Sequence, residues 1–553
     1  MTSLLVDMPP LRAVLLCAVP LAYALAASAA ALSPRTSRTG WRWARAGAAL
    51  AVCAALLSLA WLLVQGPGLA RGPALLSLGD AAAVHVSLRS DALGATMLLL
   101  VSFIGWVIVG YSQPYLDGER GQPRYIRCLM LTLAAVSLLV LTNNLLLLAL
   151  AWVGTSLALH GLLTFFDQRP QALIAAHKKF LASRVADLFL LGGIALLGTT
   201  LGTLEIDQAM AAAQALPHRP AALQAAALLI AASALLKCAQ LPVHGWLIQV
   251  MEAPTPVSAL LHAGVVNLGG FLLIRLGMLV ADVPAAQALL VGVGSVTAVV
   301  AALVMTTRVS IKVALAWSTC AQMGFMMMQC GLGLHDLALL HLVAHSLYKA
   351  HAFLGAGGAV EQNRLQQMTP PARPLRPLTW PLAAGVGLVL AGGAALLWGL
   401  RPGEATALWA MVGILSLALA PLLAGSVLQA DRPWRIGGLL AAFAVSLAYF
   451  GLHVVFSRWL GTQGVGGPPA LALVIWALGC FGLLFVVQGA VRAWPRGALA
   501  RRLYPWLFAG LYLDELFTRL TFRLWPARLP PATAAMTATA PAPEAATHAT
   551  GAL

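Results

Sequence analysis

What most constrains this chain is a succession of apolar stretches about twenty residues long, separated by short polar connections. A helix needs about twenty apolar residues to cross roughly 30 Å of hydrocarbon, and backbone in lipid must satisfy its N–H and C=O groups internally. Composition agrees, because 60% of the 553 residues are apolar and 9% are charged, too little polar material to coat a soluble body of that size. The expected class is an all-α polytopic membrane protein with about 15–16 transmembrane helices embedded in the lipid bilayer. Expected spans fall at 11–32, 46–65, 91–112, 126–142, 144–165, 181–201, 222–250 with a break, 256–280, 284–306, 311–332, 334–357, 379–399, 405–428, 436–456 and 469–491.

The first run follows Asp7 and no basic segment, so it reads as a span, not as a signal peptide. Residues 503–524 are apolar but carry Asp514, Glu515, Arg519 and Arg523, which leaves a span and an interfacial helix both open. The stretch 526–553, rich in Ala, Thr and Pro, reads as a disordered tail.

A formal charge of +16 raises the question of nucleic acid, and the distribution of the basic residues answers it. They gather on alternate connections. The even-numbered ones hold only Arg71, Arg89, Arg219, Arg401 and Arg458, whereas the odd ones hold clusters such as Arg35, Arg38, Arg42 and Arg45. That bias implies odd connections in the cytoplasm and the N-terminus outside, with no nucleic-acid partner. The seven cysteines contain no C-x-x-C pair and lie almost all inside apolar runs, as expected of small buried hydrophobes.

Five of the 34 basic residues are lysines: Lys178, Lys179, Lys237, Lys312 and Lys349. A lysine in low dielectric can lose its proton near neutral pH, whereas arginine stays charged, so lysine inside a span is a proton-relay candidate. Lys237 and Lys349 sit inside apolar runs and Lys312 just inside the start of one. Lys178 and Lys179 are expected to snorkel to the headgroups. Lys237 is followed by Pro242, which removes a helical hydrogen bond and should break the helix, an arrangement tolerated at membrane depth where the backbone is buried in protein or lines a cavity.

His341, His345 and Lys349 follow at i, i+4 and i+8 and line one helix face over about 12 Å. Titratable groups at that spacing can pass protons through one or two waters. As a metal site the pair lacks a zincin glutamate and a third ligand, so no metal is expected. Ser258 and His262 share another face with Asn267 further along, where polar groups also serve as interhelical glue. Arg184 and Asp187 are i, i+3 neighbours, able to form a local ion pair or to balance a nearby lysine.

Three stretches carry a family resemblance: ALLKCAQLPVHGWLIQVMEAPTPVSALLHAGVV, IKVALAWSTCAQMGFM and HLVAHSLYKAHAFLGAG. They closely resemble the antiporter-like ion-translocating subunits of respiratory complex I and the Mrp antiporters, over roughly residues 90–400. The resemblance implies two inverted five-helix repeats, each with a broken helix, and an ion path through Lys237, His262, Lys312, His341, His345 and Lys349, with Asp187, Arg184 and Lys179 as charge partners. It divides the chain into N-terminal helices and loops (1–125), antiporter-like bundles at 126–280 and 281–430, and C-terminal helices (431–525). Two departures stand out. Trp152-Val153 replaces the family's Trp-Glu, leaving Asp187 as the candidate substitute carboxylate, and the run from Pro381 to Leu400, where a second broken helix is expected, has no charged residue.

No long amphipathic helix follows residue 491, and this compactness looks like the branch serving inorganic carbon accumulation. That likeness implies a large DabA-like partner with a carbonic-anhydrase-like zinc site in a hetero-complex that couples proton or sodium flow to CO2 hydration. A subunit of NADH-quinone oxidoreductase or of a membrane-bound hydrogenase stays open, as does a scaffold without conduction. The chain has no nucleophile constellation or dinucleotide fingerprint, so no cofactor is expected and any catalysis belongs to a partner.

Overall fold

The computed structural model describes residues 9–32, 38–77, 83–216, 218–358, 361, 364, 365, 368, 378–401, 406–426, 432–461 and 469–526. The tail expected from 526 onward lies, beyond Pro526, outside them. Among the described residues twelve helices are long and apolar enough to cross a membrane. The other three expected spans are also helices, one short (Ala221–Lys237) and two long enough but less apolar (Ile311–Gly331 and His335–Leu354). All three hold lysines proposed for the ion path.

In chain order the helices are α1 (Pro9–Leu32), α2 (Arg38–Gln65), α3 (Ala92–Tyr115), α4 (Gln122–Leu141), α5 (Leu145–Leu163), α6 (Pro170–Leu201), α7 (Ile206–Ala215), α8 (Ala221–Lys237) and α9 (Gly245–Gln249). There follow α10 (Thr255–Ala263), α11 (Leu268–Arg275), α12 (Gly277–Ala281), α13 (Pro284–Met305), α14 (Ile311–Gly331) and α15 (His335–Leu354). The last are α16 (Thr379–Leu397), α17 (Thr406–Ser426), α18 (Arg432–Leu460), α19 (Leu471–Ala493), α20 (Ala498–Phe508) and α21 (Leu513–Leu524).

Polar caps close the helices where the chain turns. Asp91 accepts from Gly94 N (2.8 Å) to start α3, and Asn144 accepts from Leu146 N and Leu147 N to start α5. Between α2 and α3 runs an element the apolar pattern does not reveal, an antiparallel hairpin of Gly68–Ser77 and Ala83–Ser90. Glu205 ties it down, accepting from Ser87 Oγ, Asn143 Nδ2 (2.9 Å) and Asn144 Nδ2 (3.0 Å).

The 222–250 span breaks where expected: α8 stops at Lys237, and the chain turns through Ala239 (φ +51) before α9. The 256–280 span, read as continuous, is also interrupted, since Gly264 leaves helical geometry (φ −127, ψ −70) between α10 and a 3-10 turn at Val265–Asn267. The break expected within Pro381–Leu400 does not occur. Pro381 lies in the first turn of α16, where its missing N–H costs nothing, and the helix runs on unbroken to Leu397. At the C-terminus α20 and α21 have 11 and 12 residues, each about 17 Å long, too short to cross and separated by Leu511 and Tyr512 at positive φ.

Helix contact in lipid depends on close approach, and α13 and α14 meet through glycine. A Cβ on Gly324 would stand 2.6 Å from Gly294 O, and one on Gly294 would stand 2.6 Å from Gly324 O. Gly324→Val should therefore force the pair apart, with a loss of about 1–3 kcal/mol, seen as a lower melting temperature of the purified complex. An unchanged melting temperature would show that the contact is loose.

Candidate ion path in the membrane interior

The first group forms where α8 ends. Lys237 is 4% exposed, and its Nζ lies 4.3 Å from the centroid of the Trp152 ring without a hydrogen-bond partner among the described residues. A cation over an indole face is stabilised by about 2 kcal/mol when desolvated. Trp152 thus offers partial compensation at the very step of α5 where the neighbouring residue is Val153. Asp187 on α6 is within electrostatic reach of Lys237 and of Lys179, and Arg184 Nη2 stands 2.7 Å from Asp187 Oδ2. Lys179 donates to Ser156 O (2.7 Å) and Ser156 Oγ (2.9 Å). Three cations and one carboxylate therefore share a single buried field.

The second group forms along α15. The rings of His341 and His345 stack with centroids 5.9 Å apart, and the ring of His262 stacks on Phe353 at 4.5 Å. Lys349 donates to Leu315 O (3.2 Å) and to Ser318 Oγ. Both ring nitrogens of His262 and His345, and Nε2 of His341, are buried without a hydrogen-bond partner among the described residues. His341, His345 and Lys349 face an open-sided, largely apolar hollow of about 800 Å³, in which Ser318, Gln322, Gln329 and Tyr449 are among the other polar side chains. No third ligand gathers at the histidines among the described residues. Asn267 instead donates to Ser346 Oγ (2.8 Å), gluing α11 to α15.

The two groups meet through backbone. Cys238 Sγ, just past Lys237, donates to Val266 O (3.0 Å), so the two helix breaks pack on each other. Lys312 stands aside: half-buried at the start of α14, it donates to Thr255 Oγ1 (2.8 Å), and no hydrogen bond, ion pair or ring contact among the described residues joins it to either group.

Two lysines depart from the snorkelling expected of them. Lys178 and Lys179 are 0% and 2% exposed, because partners reach them inside the protein. Lys178 Nζ meets Asp514, Gln249 Oε1 (3.1 Å) and Thr518 Oγ1 (2.7 Å), and Gln249 Nε2 also donates to Asp514 (2.8 Å). His244 joins this corner, fully buried, its ring 4.8 Å from that of Trp317 and in the electrostatic field of Asp514. The sequence signal was present in the carboxylates of an otherwise apolar 503–524, but their partner lies more than three hundred positions upstream.

Residues 142–392 match the family described as NADH:quinone oxidoreductase/Mrp antiporter, TM, and residues 76–126 match the N-terminus of complex I chain 5. The chain is similar to the "Probable inorganic carbon transporter subunit DabB" of Hydrogenovibrio crunogenus, 42% identical over 81% of this chain and 86% of that one. A DabB2 subunit of Halothiobacillus neapolitanus is 41% identical over 87% of each. Among solved structures, the Mrp complex from Dietzia resembles it with a TM-score of 0.55 at 28% identity, covering 92% of this chain and 55% of that chain.

Removing one member of a buried ion pair leaves the other charge uncompensated, at a cost of about 3 kcal/mol. Asp514→Ala should accordingly loosen α21 and lower thermal stability by that order, while Lys178→Met combined with Asp514→Leu should recover most of it. A melting series of the single and double variants checks this, and full stability of Asp514→Ala would refute it.

Proposed function

We propose that this chain, which belongs to the family of inorganic carbon transporter DabB subunits within the NADH:quinone oxidoreductase/Mrp antiporter-like membrane proteins, conducts protons or sodium ions as the membrane subunit of an inorganic carbon uptake complex. The observation that carries the reading is the row of unpartnered, buried titratable nitrogens on His262, His341 and His345, beside Lys349 and a hollow of about 800 Å³. Buried polar groups are normally satisfied, and a set left open around a cavity is what a relay through water needs. Lys237, with Asp187, Arg184 and Lys179 around it, forms the other station, and Lys312 lies at the cytoplasmic edge. The likeness to inorganic carbon transporter subunits over most of the chain favours this role over a redox-driven complex.

The family names speak of a subunit, and this chain has no catalytic constellation, so we assign catalysis to a partner: a large, peripheral, carbonic-anhydrase-like zinc protein of the DabA type. The charge bias orients the complex in a bacterial inner membrane with the N-terminus periplasmic. Cations entering from outside would pass to the cytoplasmic end, where α20 and α21 lie.

Deleting the gene in an autotrophic or capnophilic host should create a requirement for elevated CO2. Normal growth in air combined with failed NADH oxidation or hydrogen metabolism would point to the redox reading instead. Within the complex, His341→Ala, His345→Ala and Lys349→Ala should each reduce ion-coupled uptake per assembled complex by about a hundredfold, and double variants should be little worse, because a chain fails at any link. Lys237→Ala should assemble and be equally uncoupled. Additive losses of assembly with retained uptake would mark the stripe as packing.

A further inference from the structure

Two cavities border the outward end of α15. One, of about 760 Å³, opens among the hairpin, α7, the α11–α12 turn and the end of α18, and Arg89, Asp91, Asp207, Arg275, His335 and Arg458 help to line it. The other is the hollow of the histidine stripe, whose wall includes Leu337 of α15 and Tyr449 and Leu452 of α18. Asp336 follows His335, which lines the first, and His453 follows Leu452, which lines the second; both are largely buried, and Asp336 Oδ2 lies 2.8 Å from His453 Nδ1, at ion-pair distance but without hydrogen-bond alignment. The other carboxylate oxygen of Asp336 accepts from Leu337 N at 2.8 Å, so Oδ2 is left for the imidazole. Tyr449, one turn before His453, lies in the electrostatic field of Asp336.

On the cavity side, His335 is 7% exposed and its Nε2 has no hydrogen-bond partner among the described residues. That nitrogen rests on the backbone of Gly277: a Cβ there would stand 2.8 Å from it. Within the first cavity the charges are already matched to a large extent. Arg89 Nε stands 2.8 Å from Asp91 Oδ2, Arg275 also pairs with Asp91, and Asn143 donates to Asp207 at 2.6 Å. Among the described residues, the buried polar groups of this vestibule still open are the imidazole Nε2 of His335 and Nε of Arg275.

We propose that His335, Asp336 and His453 form the outer proton port of this protein, joining the vestibule to His341 and the stripe beyond it. The inference rests on the reading of His341, His345 and Lys349 as an ion path, and it favours protons as the ion. Each transfer breaks one N–H or O–H bond and forms another: vestibule water gives its proton to His335, the Asp336–His453 pair carries it past the helix start, and water in the hollow delivers it to His341. From His335 to His341 the axial distance is about 9 Å, one or two waters beyond direct reach. α18 thereby supplies the titratable side chain that α16 lacks.

The test uses the intact complex in sealed membranes, with His345→Ala as the reference. Asp336→Asn and His453→Gln should each lower uptake per assembled complex at least about tenfold, the double variant should be no worse than either single, and Asp336→Glu should retain most activity. Gly277→Ala, which displaces the His335 ring without touching its chemistry, should fall between. Uptake unchanged in Asp336→Asn and His453→Gln while His345→Ala is inactive would overturn the port and leave the stripe standing. Full uptake in all three would overturn both. A second readout does not need activity: His335→Cys should react with a membrane-impermeant thiol reagent added from the periplasmic side. Reaction from the cytoplasmic side alone, or none from either side, would overturn the port even if the substituted complexes assemble poorly.

Discussion

Everything in this structure depends on holding Lys237 and Lys349 inside a body whose outer surface is oil. Moving an isolated ammonium from water into a medium of low dielectric costs several kcal/mol even after relaxation, so each buried lysine must find local polarity or give up its proton. The fold supplies modest, unequal partners: an indole face and a nearby carboxylate for Lys237, a serine hydroxyl and a carbonyl for Lys349. Among the described residues neither lysine has a direct carboxylate contact. A full salt bridge would fix the charge in place, whereas weak, spread compensation leaves both protonation states within reach, and that is the physical requirement for a relay.

The same constraint explains the broken helices. Interrupting a helix in hydrocarbon frees backbone groups that have no water to meet, so a break survives only inside the bundle. Both breaks lie there and face each other, with Cys238 donating to Val266 O and Gly269 seated so closely on α8 that a Cβ would meet Ala234 O at 2.7 Å. The glycine is needed because any side chain would separate the very surfaces that shelter the opened backbone. α16 has no such shelter and no charge to serve, and it remains a continuous helix.

Much of this was legible in the sequence, for identifiable reasons. Apolar runs of span length place most helices within a few residues, because lipid tolerates few alternatives. The spacing of His341, His345 and Lys349 fixes one face because helical periodicity acts over a dozen residues. What stayed hidden was non-local or weakly patterned. The hairpin strands Gly68–Ser77 and Ala83–Ser90 lie in a connection whose apolar and polar residues do not alternate strictly, so nothing in the pattern marks them beside the spans. The interruption at Gly264 looks like any glycine in a membrane helix. Lys178 resembles an interfacial lysine until α21 folds back and delivers Asp514, and Asp336 resembles a helix cap until His453 arrives from α18, more than a hundred residues on.

The energetics of the proposed role also bear on how the path is built. One elementary charge crossing 100 mV releases about 2.3 kcal/mol, which corresponds to roughly a fiftyfold concentration ratio. A single ion per turnover is therefore a useful drive, provided little of it is dissipated as heat within the path. A very stable station would act as a trap whose escape cost exceeds the drive, and an entirely apolar stretch would act as a barrier of similar size. Stations of intermediate stability at short intervals avoid both, and a latch such as the buried Lys178 with the partly exposed Asp514, lying outside the stripe but beside the first break, can be made as strong as assembly requires without deepening any step of the path.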